Sequence, residues 1–167
     1  MRPLFFEELY KQMKNNDSIY VVTGDLGYIG FDRIRDEMPM RFINCGAAEI
    51  AMMGIACGLA IEGKIPFVYS IATFLLYRPF EAIRTYINHE KLNVKLIGSG
   101  RDKDYTHDGI SHWSEDVKLL FGGWRAGEGE GILSNIKIYW PIKKEYIPSI
   151  VHDMIQYKGP EFLSLKR

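Results

Sequence analysis

Short apolar runs recur along the chain and alternate with segments whose apolar residues return at helical spacing. Most of these runs are rich in Val, Ile, Phe and Tyr, and they cover residues 19–23, 41–45, 65–71, 93–99, 135–141 and 161–166. Such composition favours strands, and near-continuous apolar character is typical of strands that are buried on both faces of a sheet. The pattern therefore predicts six strands in a mainly parallel sheet.

The segments between these runs carry helix signals. They are an amphipathic start (1–16), a small-residue segment ending at Gly63, a helix beginning at Pro79 after a polar turn that contains Thr73, a helix beginning at Ser114, and a helix over 143–159 interrupted early by Pro148. Strands that alternate with helices indicate an α/β fold with helices on both faces of the sheet. No linker or internal repeat divides the chain, so we expect a single domain over 1–167.

Composition narrows the classes of function that this protein could have. The chain has 167 residues, 47% of them hydrophobic, and 21 basic residues balance 21 acidic ones. A neutral chain without long runs of one charge has no electrostatic footprint for nucleic acid or an anionic membrane. The two cysteines, Cys45 and Cys57, lie in apolar stretches and form no CxxC pair, which favours reduced packing residues. Since the first residues resemble no signal peptide and no apolar stretch spans a membrane, we expect a cytoplasmic protein.

Three loops at the predicted carboxyl ends of strands carry most of the chemistry. They are GDLG (24–27), the turn from Asn44 to Glu49, and the polar stretch DYTHDGISHWSED (104–116). Because ligands of parallel α/β sheets bind at the carboxyl ends of the strands, we expect the functional site there.

Other motifs in the chain suggest chemistry that their context does not support. GLAIEGK (58–64) fits the phosphate-loop pattern, but Ile65 replaces the required Ser or Thr, and the glycines follow a helix rather than a strand. The His, Asp and Glu residues within 107–116 match no common zinc spacing, so no metal site is predicted in this chain. Ser111-His112 lacks the strained elbow of a serine hydrolase.

Glu49 is an acidic residue at the start of an otherwise apolar helix. One interpretation is a carboxylate that caps the positive helix end. The other is a carboxyl group in an apolar pocket, aimed at a ligand. Composition alone does not decide between them.

The surrounding motifs resemble the pyrimidine-binding domain of the transketolase family. They are the turn Asn-x-Gly-x-x-Glu (44–49), Gly-Lys-x-Pro (63–66), Thr-Phe (73–74) followed by Arg-Pro-Phe (78–80), GDLG for the family's Ala-Asp-Leu, DGISH for its Asp-Gly-x-Thr-His, and the closing GPEFLSLKR. The likeness extends from about Ile19 to Arg167. It implies the fold, a thiamine diphosphate cofactor and transferase activity.

The resemblance also implies roles for individual residues. Glu49 would be the catalytic carboxyl that hydrogen-bonds the N1′ nitrogen of the cofactor's aminopyrimidine and promotes its imino tautomer. Phe74 would stack on that ring and Tyr77 would close the pocket, together with Phe80, for which core packing is an equal alternative. The other implied site residues are Asp108 and His112 at the substrate hydroxyls, with His112 also catalytic, and Asp25 near the cofactor at a subunit interface.

Departures from the family pattern suggest a divided enzyme. The diphosphate motif, which binds the cofactor through Mg²⁺, has no counterpart in this chain, and neither does the family's third domain. A separate diphosphate-binding subunit would hold the Mg²⁺, and two copies of each chain would form a heterotetramer around a homodimer core. Gly100 stands where sugar-phosphate transketolases carry a substrate histidine, which places the usual phosphorylated substrates in question.

We therefore expect one subunit of a split transketolase-like enzyme that transfers a two-carbon ketol unit. Two alternatives remain at this point: a subunit of a split thiamine diphosphate-dependent 2-oxo-acid decarboxylase, and a non-catalytic remnant that only binds a partner. Retention of Glu49 beside an aromatic segment argues against the remnant, because a binding module has no need for that carboxyl group.

Overall fold

A computed structural model describes residues 1–122 and 131–167. Its centre is a six-stranded sheet with the order β2-β1-β3-β4-β6-β5, and every pair of neighbouring strands is parallel. The strands are β1 (Ile19–Thr23), β2 (Phe42–Asn44), β3 (Ile65–Ile71), β4 (Lys95–Ser99), β5 (Lys137–Tyr139) and β6 (Glu161–Leu165). The predicted α/β fold with a mainly parallel sheet is confirmed.

Helices cover both faces of this sheet. They are α1 (Arg2–Asn15), α2 (Asp32–Glu37), α3 (Glu49–Ile61), α4 (Ala72–Tyr77), α5 (Phe80–Ala82) and α6 (Ile147–Gln156). A π-helical segment, Ile83–His89, continues α5, and short 3₁₀ helices lie at Pro39–Arg41, Thr106–Asp108, Val117–Phe121 and Lys144–Tyr146. Within the two described ranges, no helix is long and apolar enough to cross a membrane.

The core consists of two apolar layers separated by the sheet. Side chains alternate between the faces of each strand, so Val21 packs in one layer and Val22 in the other, and Leu163 and Phe162 divide in the same way. The first layer includes buried residues of α1 and α6, and the second includes those of α3 and α4. This two-sided burial explains why the strands are nearly continuous in apolar residues.

Local structure departs from the sequence prediction in three segments. Thr73 lies in α4, which follows β3 without a turn, because the chain becomes helical directly after Ile71. Pro148 lies in the first turn of α6, where no intrahelical N–H donor is needed, and so does not interrupt the helix. The helix predicted from Ser114 is reduced to the 3₁₀ turn Val117–Phe121. By contrast, Gly63 follows α3 with a φ of 75°, as a glycine C-cap requires.

A buried ion pair joins the two strands β4 and β6. Lys95 and Glu161 have no exposed side-chain surface, and the Lys95 ammonium donates hydrogen bonds of 2.8 Å to Glu161 Oε2 and to the carbonyls of Tyr157 and Gly159. Burial lowers the pKa of Lys95, while the contact with Glu161 opposes that shift. The pair fixes the last strand against the centre of the sheet at the end remote from the predicted loops.

Candidate functional site

Glu49 is the first residue of α3 and is buried, with 5% of its surface exposed. Its neighbour Ala48 supplies no side-chain cap to the helix. The Glu49 carboxylate instead accepts a hydrogen bond of 2.6 Å at Oε1 from Nη1 of Arg78. The negative charge thus lies at the positive end of a helix and also faces a guanidinium group from another element.

Phe74 lies in α4, and Arg78 follows it by one helical turn as the C-cap residue of that helix. The central guanidinium carbon of Arg78 is 3.6 Å from the centroid of the Phe74 ring, a close cation–π contact. The imidazole of His112 meets the same ring edge-on, with centroids 4.8 Å apart and planes inclined by 66°. Glu49, Phe74 and His112 are therefore brought together, with Arg78 in contact with the first two.

Tyr77 faces a neighbouring cavity of about 340 Å³ that Phe74, Arg78, Trp113 and Asp116 also line. Partial burial, together with a hydrogen bond to Asp116, raises the pKa of the Tyr77 hydroxyl. Tyr77 is 38% exposed, so part of its ring remains open to solvent. Phe80, by contrast, packs against the core layer on the α3 side of the sheet.

Asn44 joins the loops that follow β1 and β2. Its side-chain oxygen accepts hydrogen bonds from the backbone N–H groups of Asp25, at 2.9 Å, and of Gly46, at 3.0 Å. Asp25 in turn accepts a 2.6 Å hydrogen bond from Tyr28, and the bonds from Tyr28 and Asn44 lower the pKa of Asp25. Asp25 thus belongs to a separate, exposed hydrogen-bond group rather than to the Glu49 cluster.

The loop after β4 is anchored to α4. Thr73 donates a hydrogen bond of 2.7 Å to the carbonyl of Ser111, and the Ser111 hydroxyl lies 2.9 Å from Nδ1 of His112. These contacts hold the His112 ring against Phe74. Asp108 lies in the 3₁₀ turn of the same loop and is exposed, so its carboxylate is not part of the cluster around Glu49.

A larger cavity, of about 710 Å³, lies beyond the carboxyl ends of β1, β3 and β4. After β1 the chain forms β2 on one side of that strand and then β3 on its other side. The cavity therefore lies at the topological switch point of the sheet. Arg2 lines the cavity and donates to the hydroxyls of Tyr105, at 3.3 Å, and Ser99, at 3.5 Å. The cavity also includes the loop after β1, which contains Tyr28 and Ile29.

The sequence pointed to Glu49, Phe74 and His112 as site residues. It marked Arg78 only as part of a family motif, without a role, and did not single out Arg2 or Tyr105. The four-residue spacing between Phe74 and Arg78 was an available signal, because such pairs face each other on a helix. The contacts of Arg2 with Ser99 and Tyr105 bridge 97 and 103 residues of sequence, a separation that no local pattern reveals.

Metal ligands and cysteines complete the description of the polar groups. Among residues 1–122 and 131–167, no group of three or more His, Cys, Asp or Glu side chains is arranged to hold a metal ion. Cys45 and Cys57 are free thiols, and burial raises the pKa of both.

Comparison with known proteins identifies a family for this architecture. Residues 1–125 match the family model for the transketolase pyrimidine binding domain. The whole chain aligns at 31% identity with half of a Methanocaldococcus jannaschii protein named as a transketolase C-terminal section. It aligns at 27% identity with 49% of a 6-deoxy-6-sulfo-D-fructose transketolase subunit from Clostridium sp..

Solved structures give a matching result. A split-gene transketolase, described as an inactive β4 tetramer, superposes with a TM-score of 0.83 at 30% identity. The match covers 99% of the present chain and 51% of that protein. The chain therefore spans about half the length of the relatives it matches.

Proposed function

The chain belongs to the transketolase family through its pyrimidine-binding domain, and from this premise we propose that it is one subunit of a split, thiamine diphosphate-dependent transketolase-like enzyme. The proposed reaction transfers a two-carbon ketol unit between carbonyl compounds, and residues 1–167 form a single pyrimidine-binding domain. Relatives named as transketolase sections or subunits support the assignment. The observation that carries it is the buried carboxylate of Glu49, which Arg78 links to the ring of Phe74 by contacting both.

The side chains present fit an aminopyrimidine. Such a ring has flat faces, for which Phe74 and Tyr77 offer aromatic partners, and a nitrogen edge, for which the Glu49 carboxyl is a hydrogen-bond partner. Thiamine diphosphate, when bound, supplies a nucleophilic carbon and an electron sink for breaking and forming carbon–carbon bonds. Glu49 would hold a proton on its carboxyl oxygen and share it with the N1′ nitrogen, and its 5% exposure limits competition from water.

Substrate contacts are proposed for the loop after β4 and for the larger cavity. His112 is held beside Phe74 and would contact the reacting carbonyl compound, with the exposed Asp108 reaching its hydroxyl groups from the same loop. The hydroxyls of Tyr105 and Ser99 and the guanidinium of Arg2 give the 710 Å³ cavity several hydrogen-bonding groups suited to a hydroxylated carbonyl compound. Asp25, at the edge of this region, would contact the cofactor where subunits meet.

The cofactor's diphosphate and Mg²⁺ are assigned to a partner subunit. The family resemblance places the diphosphate motif in the other half of the enzyme, and relatives named as sections or subunits support a divided architecture. We propose a heterotetramer built around a homodimer of this chain. A cytoplasmic location agrees with the two free thiols, because the cytosol keeps cysteines reduced.

Ketol transfer has more support than decarboxylation of 2-oxo acids. The relatives described above are named as transketolases, and none of those names refers to a decarboxylase. Release of carbon dioxide from 2-oxo acids by the assembled enzyme would reverse this preference.

Cofactor loading tests the divided site. We expect the chain alone to bind thiamine diphosphate weakly or not at all, and we expect tight binding and activity once the partner subunit and Mg²⁺ are added. Titration calorimetry with the chain alone, the partner alone and the mixture, each with and without Mg²⁺, measures this directly. Tight stoichiometric binding of thiamine diphosphate by the chain alone would contradict the proposal.

A further inference from the structure

Arg78 contacts both groups to which the proposed function assigns the aminopyrimidine. Its Nη1 is 2.6 Å from Glu49 Oε1, and its guanidinium carbon is 3.6 Å from the centroid of the Phe74 ring. The proposed function gives Arg78 no role. Its position therefore raises the question of what this side chain does when the ring is bound.

The cofactor ring and the Arg78 guanidinium would compete for the same ring face. Two planar groups in contact are separated by roughly 3.5 Å, so a guanidinium carbon at 3.6 Å from the Phe74 centroid already covers one face of that ring. A pyrimidine cannot lie on that face while the guanidinium stays there. A ring nitrogen that approaches Glu49 Oε1 would likewise meet the Arg78 guanidinium, which donates a 2.6 Å hydrogen bond to that oxygen.

Arg78 can leave this position by side-chain rotation alone. The Arg78 side chain is 47% exposed, whereas that of Glu49 is 5% exposed. The ring of Phe74 keeps its edge contact with His112, and Thr73 keeps α4 tied to the loop after β4. Departure of the guanidinium would leave a buried carboxylate without its counter-ion, which favours a new hydrogen-bonding partner at that oxygen.

We propose that Arg78 is a gate on the pyrimidine site: its guanidinium covers Glu49 and one face of Phe74, and a ring that binds at these two groups must displace it. The inference rests on the proposed function, because it assumes that these two residues hold the ring. It adds a positioning residue that keeps the carboxylate covered until the cofactor arrives. Binding of the ring is thereby opposed by the loss of an ion pair and a cation–π contact.

Binding of an isolated aminopyrimidine to the full chain tests the gate. The probe is 4-amino-5-hydroxymethyl-2-methylpyrimidine, with affinity measured by ligand-observed NMR. Arg78→Leu removes both contacts and should bind the probe about tenfold more tightly, since a half-exposed ion pair and a cation–π contact are each worth a few-fold. Arg78→Lys keeps the charge but loses the planar group and should give a smaller gain. Arg84→Leu makes the same charge change at an exposed position further along the chain and should leave the affinity unchanged.

A second readout follows the gate itself. The Nε–H resonance of Arg78 in the wild-type chain should shift as the probe saturates, because the guanidinium leaves the ring current of Phe74. Equal or weaker binding by Arg78→Leu, or an Nε–H resonance that does not move, would overturn the gate.

Glu49→Ala, which removes the hydrogen-bonding group, separates failure of the gate from failure of the proposed function. If Glu49→Ala weakens probe binding while Arg78→Leu brings no gain, the pyrimidine site stands and the gate is wrong. If Glu49→Ala has no effect in either the wild-type or the Arg78→Leu background, Glu49 does not hold the ring, and both inferences are wrong.

Discussion

Replacing Glu49 with glutamine keeps the size of a buried side chain and removes its ability to hold a proton. In the proposed site the glutamine amide can still hydrogen-bond the N1′ nitrogen of the cofactor ring. It cannot share the proton that promotes the imino tautomer. We therefore expect the fold, the assembly and much of the cofactor affinity to survive while turnover is nearly lost.

The structure separates the expected size of the catalytic effect from that of the structural effect. General acid–base catalysis typically contributes about a hundred- to ten-thousand-fold, and this step produces the reactive carbon, so a loss near the upper end is expected. The structural cost comes from the ion pair with Arg78, which is 47% exposed, and from the charge at the start of α3. Each is worth roughly up to 1 kcal/mol, so stability should fall by about 1–2 kcal/mol at most.

Hydrogen–deuterium exchange at the thiazolium carbon is the decisive assay. It is measured in the complex reconstituted with the partner subunit and Mg²⁺, for the wild type and Glu49→Gln at saturating cofactor. Glu62→Gln, at the exposed opposite end of α3, is the matched control and should exchange at the wild-type rate. Equal exchange rates in wild type and Glu49→Gln would show that Glu49 is not the activating carboxyl and would refute the reasoning.

Further substitutions test the loop after β4 and the buried ion pair. His112→Ala, and similarly Asp108→Ala, should spare cofactor binding in the assembled enzyme while raising KM or lowering kcat for substrate; loss of cofactor binding without unfolding would contradict this placement. Lys95→Met leaves the Glu161 carboxylate, which has no exposed side-chain surface, without its nearest counter-ion and should cost about 3–5 kcal/mol in urea unfolding. Lys137→Met is the comparison, because Lys137 lies 3.6 Å from the same carboxylate but its side chain is 47% exposed. A loss of unfolding free energy as large as that of Lys95→Met would contradict the argument.

The sheet was predictable because its strands are buried on both faces. A run such as 65–71 can be recognised as a strand from its own sequence, since its side chains are apolar on both faces and pack in two core layers. Local helical structure was less predictable. Thr73 was expected in a polar turn, yet it lies in a helix, where its hydroxyl donates to the Ser111 carbonyl 38 residues away, a tertiary contact that overrides local propensity.

The candidate site shows the same division between local and distant signals. Glu49 could be selected from the sequence because a carboxylate in an otherwise apolar helix is costly and needs a reason. Arg78 carries no such anomaly: the sequence marks it as part of a family motif but does not indicate what it contacts. Its significance appears only in the folded chain, where the first residue of α3 and the C-cap residue of α4 form an ion pair although they are 29 positions apart.

Gly100 is best understood together with Tyr105. The family resemblance suggested that a substrate histidine is missing at position 100. A side chain there is disfavoured in this fold for two reasons: the residue has a φ of 83°, and an added Cβ would lie 2.1 Å from a carbon of the Tyr105 ring, which would have to move. Tyr105 thus occupies the space of the absent side chain and directs its hydroxyl to Ser99 and Arg2.

The conformation at Gly100 and the position of the Tyr105 ring therefore depend on each other. Restoring a histidine at position 100 without removing the Tyr105 ring would force the loop after β4 to move, and with it His112, whose ring centroid lies 5.9 Å from that of Tyr105. Because His112 also contacts Phe74, the shape of the proposed substrate cavity and the position of the ring proposed to stack on the cofactor are linked through one loop. If the cavity holds substrate as proposed, changes in substrate preference should require coordinated substitutions at positions 100 and 105 rather than either alone.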